Sequence, residues 1–126
     1  MISGKAVQKF GMDLDNHQQL VLAAAEVMIE VYMAESAILK AEKVVKFTSE
    51  KEAEVQIALA KLNLYNAVDK ANAFGKEAIL YFSEGDEQRV MLMGLKRFTK
   101  YVNNPNPIAL RNVIAEKLIA ENNYCF

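Results

Sequence analysis

Apolar residues recur at alternating steps of three and four along two long stretches of the chain, which is the spacing of one face of an α-helix. The first stretch runs from Leu20 to Val45, and the second runs from Ile57 to Tyr81. The first predicted helix also has a second apolar seam, so it is expected to face two neighbours. That second seam consists of Val21, Ala25, Met28, Tyr32 and Leu39.

Capping residues predict where these two helices begin. Asp15 and Gln18 have the spacing of a capping box before the first helix, and Ser49 and Glu52 repeat it before the second. Because the connection around Ser49 is short, the two helices are expected to be antiparallel. Gly75 lies inside the second helix, where glycine costs up to about 1 kcal/mol relative to alanine, so it indicates a bend or a close contact.

Two shorter helices are predicted after residue 82. The segment Ser83–Asp86 breaks the second helix, and the apolar residues that follow indicate an amphipathic helix up to Val102. Asn106 as N-cap and Pro107 at the first helical position then open a last helix. Its predicted apolar face consists of Leu110, Val113, Ile114, Ala115, Leu118 and Ile119.

The sequence therefore predicts an all-α fold, an antiparallel up-down four-helix bundle with an N-terminal helical remnant. Residues 4–11 are typical of a helix end closed by a C-terminal glycine. We therefore expect residues 1–126 to form a single helical domain that is a fragment of a longer chain, with residues 1–12 as the remnant of a linking helix.

Composition narrows the function classes. The chain has 126 residues, of which 52% are hydrophobic and 25% are charged, a globular composition. A net charge of −1 with dispersed basic residues argues against nucleic-acid binding. No apolar run approaches the about 20 residues that span a bilayer, and the start lacks a signal peptide, so we expect a soluble protein. The single cysteine, Cys125, suits the cytoplasm.

Candidate chemistry is sparse. A di-iron bundle needs Glu-x-x-His pairs, but the chain has one histidine, His17, for which a surface or capping role is expected. Ser36 and Cys125 are each far in sequence from His17, so no activated nucleophile is indicated. Gly85 and Gly94 are isolated and form no phosphate loop. We therefore predict no catalytic, cofactor-binding or metal-binding residue in this chain.

Three polar features leave alternatives open. Glu35 interrupts the second seam of the first helix, so it either forms a salt bridge to an arginine or is exposed on a rotated seam. The shorter helix before Val102 is either an ordinary bundle helix with a charged rim or a basic helix at a membrane surface. A further polar set on the second long helix is expected to be a solvated face: Asn63, Asn66, Asp69, Lys70 and Asn72.

Two C-terminal stretches, Glu84–Lys100 and Ala115–Phe126, resemble the C-terminal end of bacterial acyl-CoA dehydrogenases. The resemblance is to the subgroup of longer acyl-CoA dehydrogenases that carry an extra helical domain, like that of very-long-chain acyl-CoA dehydrogenase. The resemblance continues through residues 6–10 and 29–37 and through Asp69-Lys70, so it covers nearly the whole chain.

The resemblance implies that the chain is a non-catalytic C-terminal domain of an FAD-dependent enzyme that oxidises acyl-CoA to trans-2-enoyl-CoA. FAD is then a cofactor of the parent enzyme and is bound outside this chain. The implied partners are the catalytic part of the same polypeptide, further copies in a homo-oligomer, and a peripheral membrane contact.

Two other function classes remain open at this point. The chain could be a free-standing helical module that dimerises or binds a partner helix through its exposed seams. It could also be a small ligand-binding bundle, which requires a cavity that periodicity does not reveal.

Overall fold

Five α-helices and one 3-10 turn make up the fold, and the computed structural model describes all residues from Met1 to Phe126. The all-α class is confirmed, whereas the up-down order of a four-helix bundle stays a prediction. The elements are α1 (Ile2–Phe10), the 3-10 turn (Gly11–Asn16), α2 (Gln18–Phe47), α3 (Glu54–Phe82), α4 (Gly85–Phe98) and α5 (Pro107–Glu121).

The start of α2 differs from the prediction. Asp15 lies inside the 3-10 turn and His17 precedes the first helical residue, so the expected capping box of Asp15 and Gln18 is wrong. The reason is Gly11, whose φ of 51° ends α1 and turns the chain into 3-10 geometry. The amide of His17 then donates to the carbonyl of Leu14, which closes this turn.

The turn between α2 and α3 is the predicted one. The backbone amide of Glu52 donates to Ser49 Oγ at 3.3 Å, and Ser49 Oγ lies 3.2 Å from Glu52 Oε2. The first contact is one half of the predicted capping box, whereas the Glu52 carboxylate accepts from the Ser49 hydroxyl instead of the Ser49 backbone amide.

The chain divides into two compact units, each of which includes part of α2 and part of α3. Unit 1 consists of residues 1–31 and 68–101, and unit 2 consists of residues 32–67 and 102–126. In unit 1, α2 and α3 are antiparallel, because His17 contacts Tyr81 and Glu30 contacts Lys70. The core of unit 1 consists of Ala6, Leu20, Ala23, Ala78, Ile79, Phe82, Met91 and Leu95.

Gly75 confirms the predicted close contact and lies in unit 1. A Cβ atom at this position would lie 3.0 Å from Leu95 Cδ1 and 3.1 Å from Ile2 Cδ1. The missing side chain therefore lets α1 and α4 pack against α3 at this level.

The C-terminal end of α3 is stabilised by residues from both neighbours. Lys9 of α1 donates from Nζ to the carbonyl of Phe82, where a cation also complements the helix dipole. Gln88 of α4 donates to the carbonyl of Ser83 at 2.6 Å. The buried hydroxyl of Ser83 donates to the carbonyl of Ile79, so it is not left unpaired.

Unit 2 buries small residues. Its last helix, α5, begins as predicted, with Asn106 Oδ1 accepting from the amide of Ala109 at 3.1 Å and Pro107 in the first turn. None of its residues is fully buried, and Ile119, on the predicted apolar face, is exposed. The buried residues of unit 2 are Ala34, Ala41, Ala53, Ala58, Ala60 and Ala67.

Candidate functional site

The side chains that could carry chemistry are dispersed over the structure. No group of three or more histidine, cysteine, aspartate or glutamate residues is arranged to hold a metal ion. Glu35 is exposed on α2, so the rotated-seam alternative is the one observed. Cys125 is half-buried near the C-terminus.

His17 has a packing role that its sequence context does not indicate. Its ring lies 3.9 Å from the Phe10 ring between centroids, and its Nδ1 lies 2.7 Å from Tyr81 Oη. Its Nε2 lies 3.3 Å from Asp13 Oδ2. The side chain of Asn16 donates to Asp13, and this hydrogen bond, together with His17, lowers the pKa of Asp13. His17 thus ties the 3-10 turn to α3 across 64 positions of sequence, for which no local signal exists.

Two ion pairs join helices within unit 1. Lys70 of α3 lies 2.6 Å from Glu30 of α2, and the hydrogen bond and charge of Glu30 raise the pKa of Lys70. Lys5 of α1 lies 2.9 Å from Glu87 of α4 and lowers the pKa of Glu87. The predicted solvated face of α3 is confirmed at Asn66, Asp69, Lys70 and Asn72, which are exposed. The prediction is wrong for Asn63, which is half-buried with its Oδ1 enclosed.

The unit 1 part of α2 carries an uncovered apolar surface. Val21 and Met28, two residues of the predicted second seam, are 42% and 66% exposed, and Leu22 and Ile29 beside them are also exposed. We call these four residues the α2 face. The first seam is covered at Leu20, which lies in the core, but Val31 of the same seam is exposed. Grouped exposed apolar side chains of this kind are typical of interaction surfaces.

Unit 2 contains an open apolar groove with a volume of about 590 Å³, which we call the unit 2 groove. Its floor includes the buried alanines Ala41 and Ala60. In the sequence, the feature that could have indicated this groove is the recurrence of alanine along both long helices. The other lining residues are Ile38, Glu42, Val45, Lys46, Ile57, Lys61 and Leu64.

Helix α4 has two sides. Met91 and Leu95 lie in the core of unit 1, whereas Val90, Met93 and Phe98 are exposed. Lys96 and Arg97 are exposed in the same helix, in its last turn. The structure therefore confirms that α4 is a core helix with a charged rim, and the membrane-surface alternative stays a prediction.

No helix has the length and apolar character required to cross a membrane.

Comparisons with known proteins identify relatives that match most of the chain. Residues 1–97 match the family described as "Acyl-CoA dehydrogenase, C-terminal domain". A Bacillus subtilis (strain 168) protein described as "Probable acyl-CoA dehydrogenase" is 29% identical over 115 residues, which cover 91% of this chain and 18% of that protein.

A solved structure extends the likeness to three dimensions. The crystal structure of acyl-CoA dehydrogenase complexed with FAD from Bacillus anthracis superposes with a TM-score of 0.96 at 28% identity. The superposition covers 100% of this chain and 21% of the Bacillus anthracis chain. The chain thus spans about a fifth of the length of the relatives that it matches.

Proposed function

Because the chain belongs to the acyl-CoA dehydrogenase C-terminal domain family, we propose that it is an accessory helical domain of an FAD-dependent acyl-CoA dehydrogenase. Residues 1–126 form this domain, and residues 1–12 link it to the catalytic part. The parent enzyme converts acyl-CoA to trans-2-enoyl-CoA, with FAD accepting the hydride. This domain supplies packing and assembly, and the catalytic base and the flavin site lie in the other part of the enzyme.

The observation that carries the proposal is the superposition of the entire chain on a fifth of an FAD-containing acyl-CoA dehydrogenase. The α2 face gives the proposal a physical basis. Fully burying a large aliphatic side chain contributes about 1.5 to 3 kcal/mol. The four side chains of the α2 face are 42% to 66% exposed, so covering them favours docking. We propose that the α2 face packs against the catalytic part of the same polypeptide.

The decisive experiment isolates the native protein from its source with an antibody against this chain. We expect a protein several times larger than 14.1 kDa that shows the visible absorption of bound flavin. Its activity with acyl-CoA and an artificial electron acceptor should be measurable. A native species of 14.1 kDa without flavin would contradict the proposal and favour the free-standing interaction module.

Changing the α2 face tests the packing role. In the native-length enzyme, Met28→Glu should weaken attachment of this domain, which limited proteolysis measures as faster release of a fragment of this size. Glu35→Lys is the control, because Glu35 is an exposed position of the same helix outside the α2 face. Equal release rates for the two variants would argue against docking through this face.

We further propose that the parent enzyme is a cytoplasmic homo-oligomer that contacts membranes through α4. The exposed Val90, Met93 and Phe98 beside Lys96 and Arg97 support the lipid contact, because apolar and basic side chains together favour anionic lipid surfaces. Sedimentation with phosphatidylglycerol vesicles should decrease when Phe98 is replaced by Ser. Unchanged sedimentation would argue against a lipid contact through α4. The molecular mass from light scattering tests the homo-oligomer.

A further inference from the structure

The unit 2 groove has a lining that the proposed packing role does not explain. We propose that the unit 2 groove binds an aliphatic chain that ends in an anionic head group, such as the carboxylate of a fatty acid. The site lies in unit 2, apart from the α2 face, and the inference does not depend on the parent reaction.

The shape of the groove fits a flexible hydrocarbon. Its volume of about 590 Å³ lies within the range of about 300 to 1,000 Å³ that is usual for small-molecule sites. From Ile38 to Val45 the groove follows about 10 Å of α2, at about 1.5 Å per residue. The uncharged lining side chains are all aliphatic, with no aromatic ring against which a flat ligand could stack.

The charged residues of the groove indicate that the head group is anionic. The charged lining residues are Lys46, Lys61 and Glu42, so two positive groups face one negative group. All three are exposed, so they stand where the groove meets water. The aliphatic lining offers no side-chain donor or acceptor, so the two lysines are the groups of the groove that can pair with an anionic head group.

The same residues argue against a protein partner as the occupant. Protein interfaces are enriched in aromatic residues, methionine and arginine, and they are depleted in lysine. The unit 2 groove contains none of the enriched types, and both of its cations are lysines. The α2 face, by contrast, contains Met28. A small amphiphile is thus the occupant that fits the groove better.

The test uses the 126-residue chain and sodium decanoate below its micellar concentration. Isothermal titration should show saturable binding with one site per chain, and NMR should show the largest methyl shifts at Ile38 and Ile57. Shifts confined to Val21, Leu22 and Ile29 would overturn the proposal, as would the absence of saturable binding. Either result leaves the proposed docking of the α2 face intact, because that docking requires the catalytic part.

Charge reversal provides the matched control. The double variant Lys46→Glu, Lys61→Glu should lose about tenfold in decanoate affinity, because two exposed attractions become repulsions. The double variant Lys40→Glu, Lys43→Glu changes the net charge equally, at exposed positions of α2 outside the lining, and should lose less than about twofold. Equal losses in the two variants would overturn the assignment of the head group.

Filling the groove tests the hydrocarbon contact. Ala60→Leu places a larger side chain on the floor and should abolish saturable binding, while circular dichroism checks that the helices remain. Ile38→Ser in one wall is the second variant if Ala60→Leu unfolds the chain, and it should also weaken binding. Unaltered affinity in a folded variant of either kind contradicts the proposal.

A free fatty acid and a membrane lipid share this ligand chemistry. Tighter binding of decanoate than of a ten-carbon lysophosphatidylglycerol identifies a free carboxylate, and the reverse identifies a lipid.

Discussion

Unit 1 and unit 2 use the same two long helices and the same three-four spacing of apolar residues, yet they bury different side chains. Unit 1 buries Leu20, Ile79, Phe82, Met91 and Leu95, and its core includes residues of α1 and α4. Every buried hydrophobic residue of unit 2 is an alanine.

The difference shows that periodicity identifies a helix face but not the depth to which the face is buried. In unit 1, large side chains from one helix fill the space that another helix leaves, most clearly where Leu95 and Ile2 lie over Gly75. In unit 2, alanines occupy the buried positions, and larger aliphatic residues line an open groove. A stable core and an available surface thus arise from the same sequence pattern.

The comparison is sharpened most by removing one isoleucine from each unit. Ile79→Ala should lower the free energy of unfolding by about 2 to 5 kcal/mol, because Ile79 is fully buried and its loss leaves a cavity. Ile38→Ala in the unit 2 groove should cost less than about 1.5 kcal/mol, because Ile38 is already half-exposed. Urea titration measures both values, and equal losses would mean that unit 2 is packed as tightly as unit 1.

A second pair of variants tests the close contact in unit 1. Gly75→Val should lower the free energy of unfolding by about 1 to 3 kcal/mol, because its side chain would enter space held by Leu95 and Ile2. Gly94→Val is the control, since the nearest atom to its Cβ would be Met1 Sδ at 3.4 Å, an ordinary contact. The control should change stability by less than about 0.5 kcal/mol in thermal melts. A tolerated valine at position 75 would show that α4 can move away from α3.

In unit 2, we expect the N-cap of α5 to contribute more to stability than any single apolar contact of this helix. Asn106→Ala removes the acceptor for the amide of Ala109 and should lower the free energy of unfolding by about 1 kcal/mol. Asn104→Ala, an exposed asparagine outside any helix, should have an effect within about 0.5 kcal/mol. Hydrogen exchange at the first turn of α5 should accelerate only in the first variant. If both behave alike, α5 is held by other contacts.

The smallest expected effect is the acid sensitivity of unit 1. Lys5 lowers the folded-state pKa of Glu87 from its usual value of 4.5, so this ion pair stabilises the fold above that pH. The contribution is lost as pH falls through the lowered pKa. Glu87→Gln should therefore flatten the decline of the melting temperature below about pH 4.5. Glu84→Gln, at an exposed neighbour, should keep the full decline, and identical curves would exclude a role for the ion pair.

Local signals predicted much of the fold. The Ser49–Glu52 turn and the Asn106 cap follow from the preferences of a few neighbouring residues, and the structure shows both. At Gly75 the sequence indicated a bend or a close contact, and the structure shows the close contact. The 3-10 turn was missed because the expected cap at Asp15 competes with the conformation set by Gly11. The partners of His17 and Lys9 lie 64 and 73 positions away, so no local pattern could indicate them.

The candidate surfaces were predictable only in part. The second seam of α2 was visible in the sequence, but the sequence could not say whether this chain or another covers it. The unit 2 groove depends on side chains brought together from two helices, and its only trace in the sequence was the repeated alanine.

The hydrogen bond from Lys9 to the carbonyl of Phe82 has a consequence for the protein during its synthesis. At about 5 to 20 residues per second, a ribosome needs roughly 4 to 15 s to reach Phe82 after Lys9 has been made. During this interval the apolar side of α1, with Ile2 and Ala6, has no α3 or α4 to cover it. Within this domain, α1 is therefore made before its native partners in α3 and α4, and chaperones that bind short apolar segments can act at this stage.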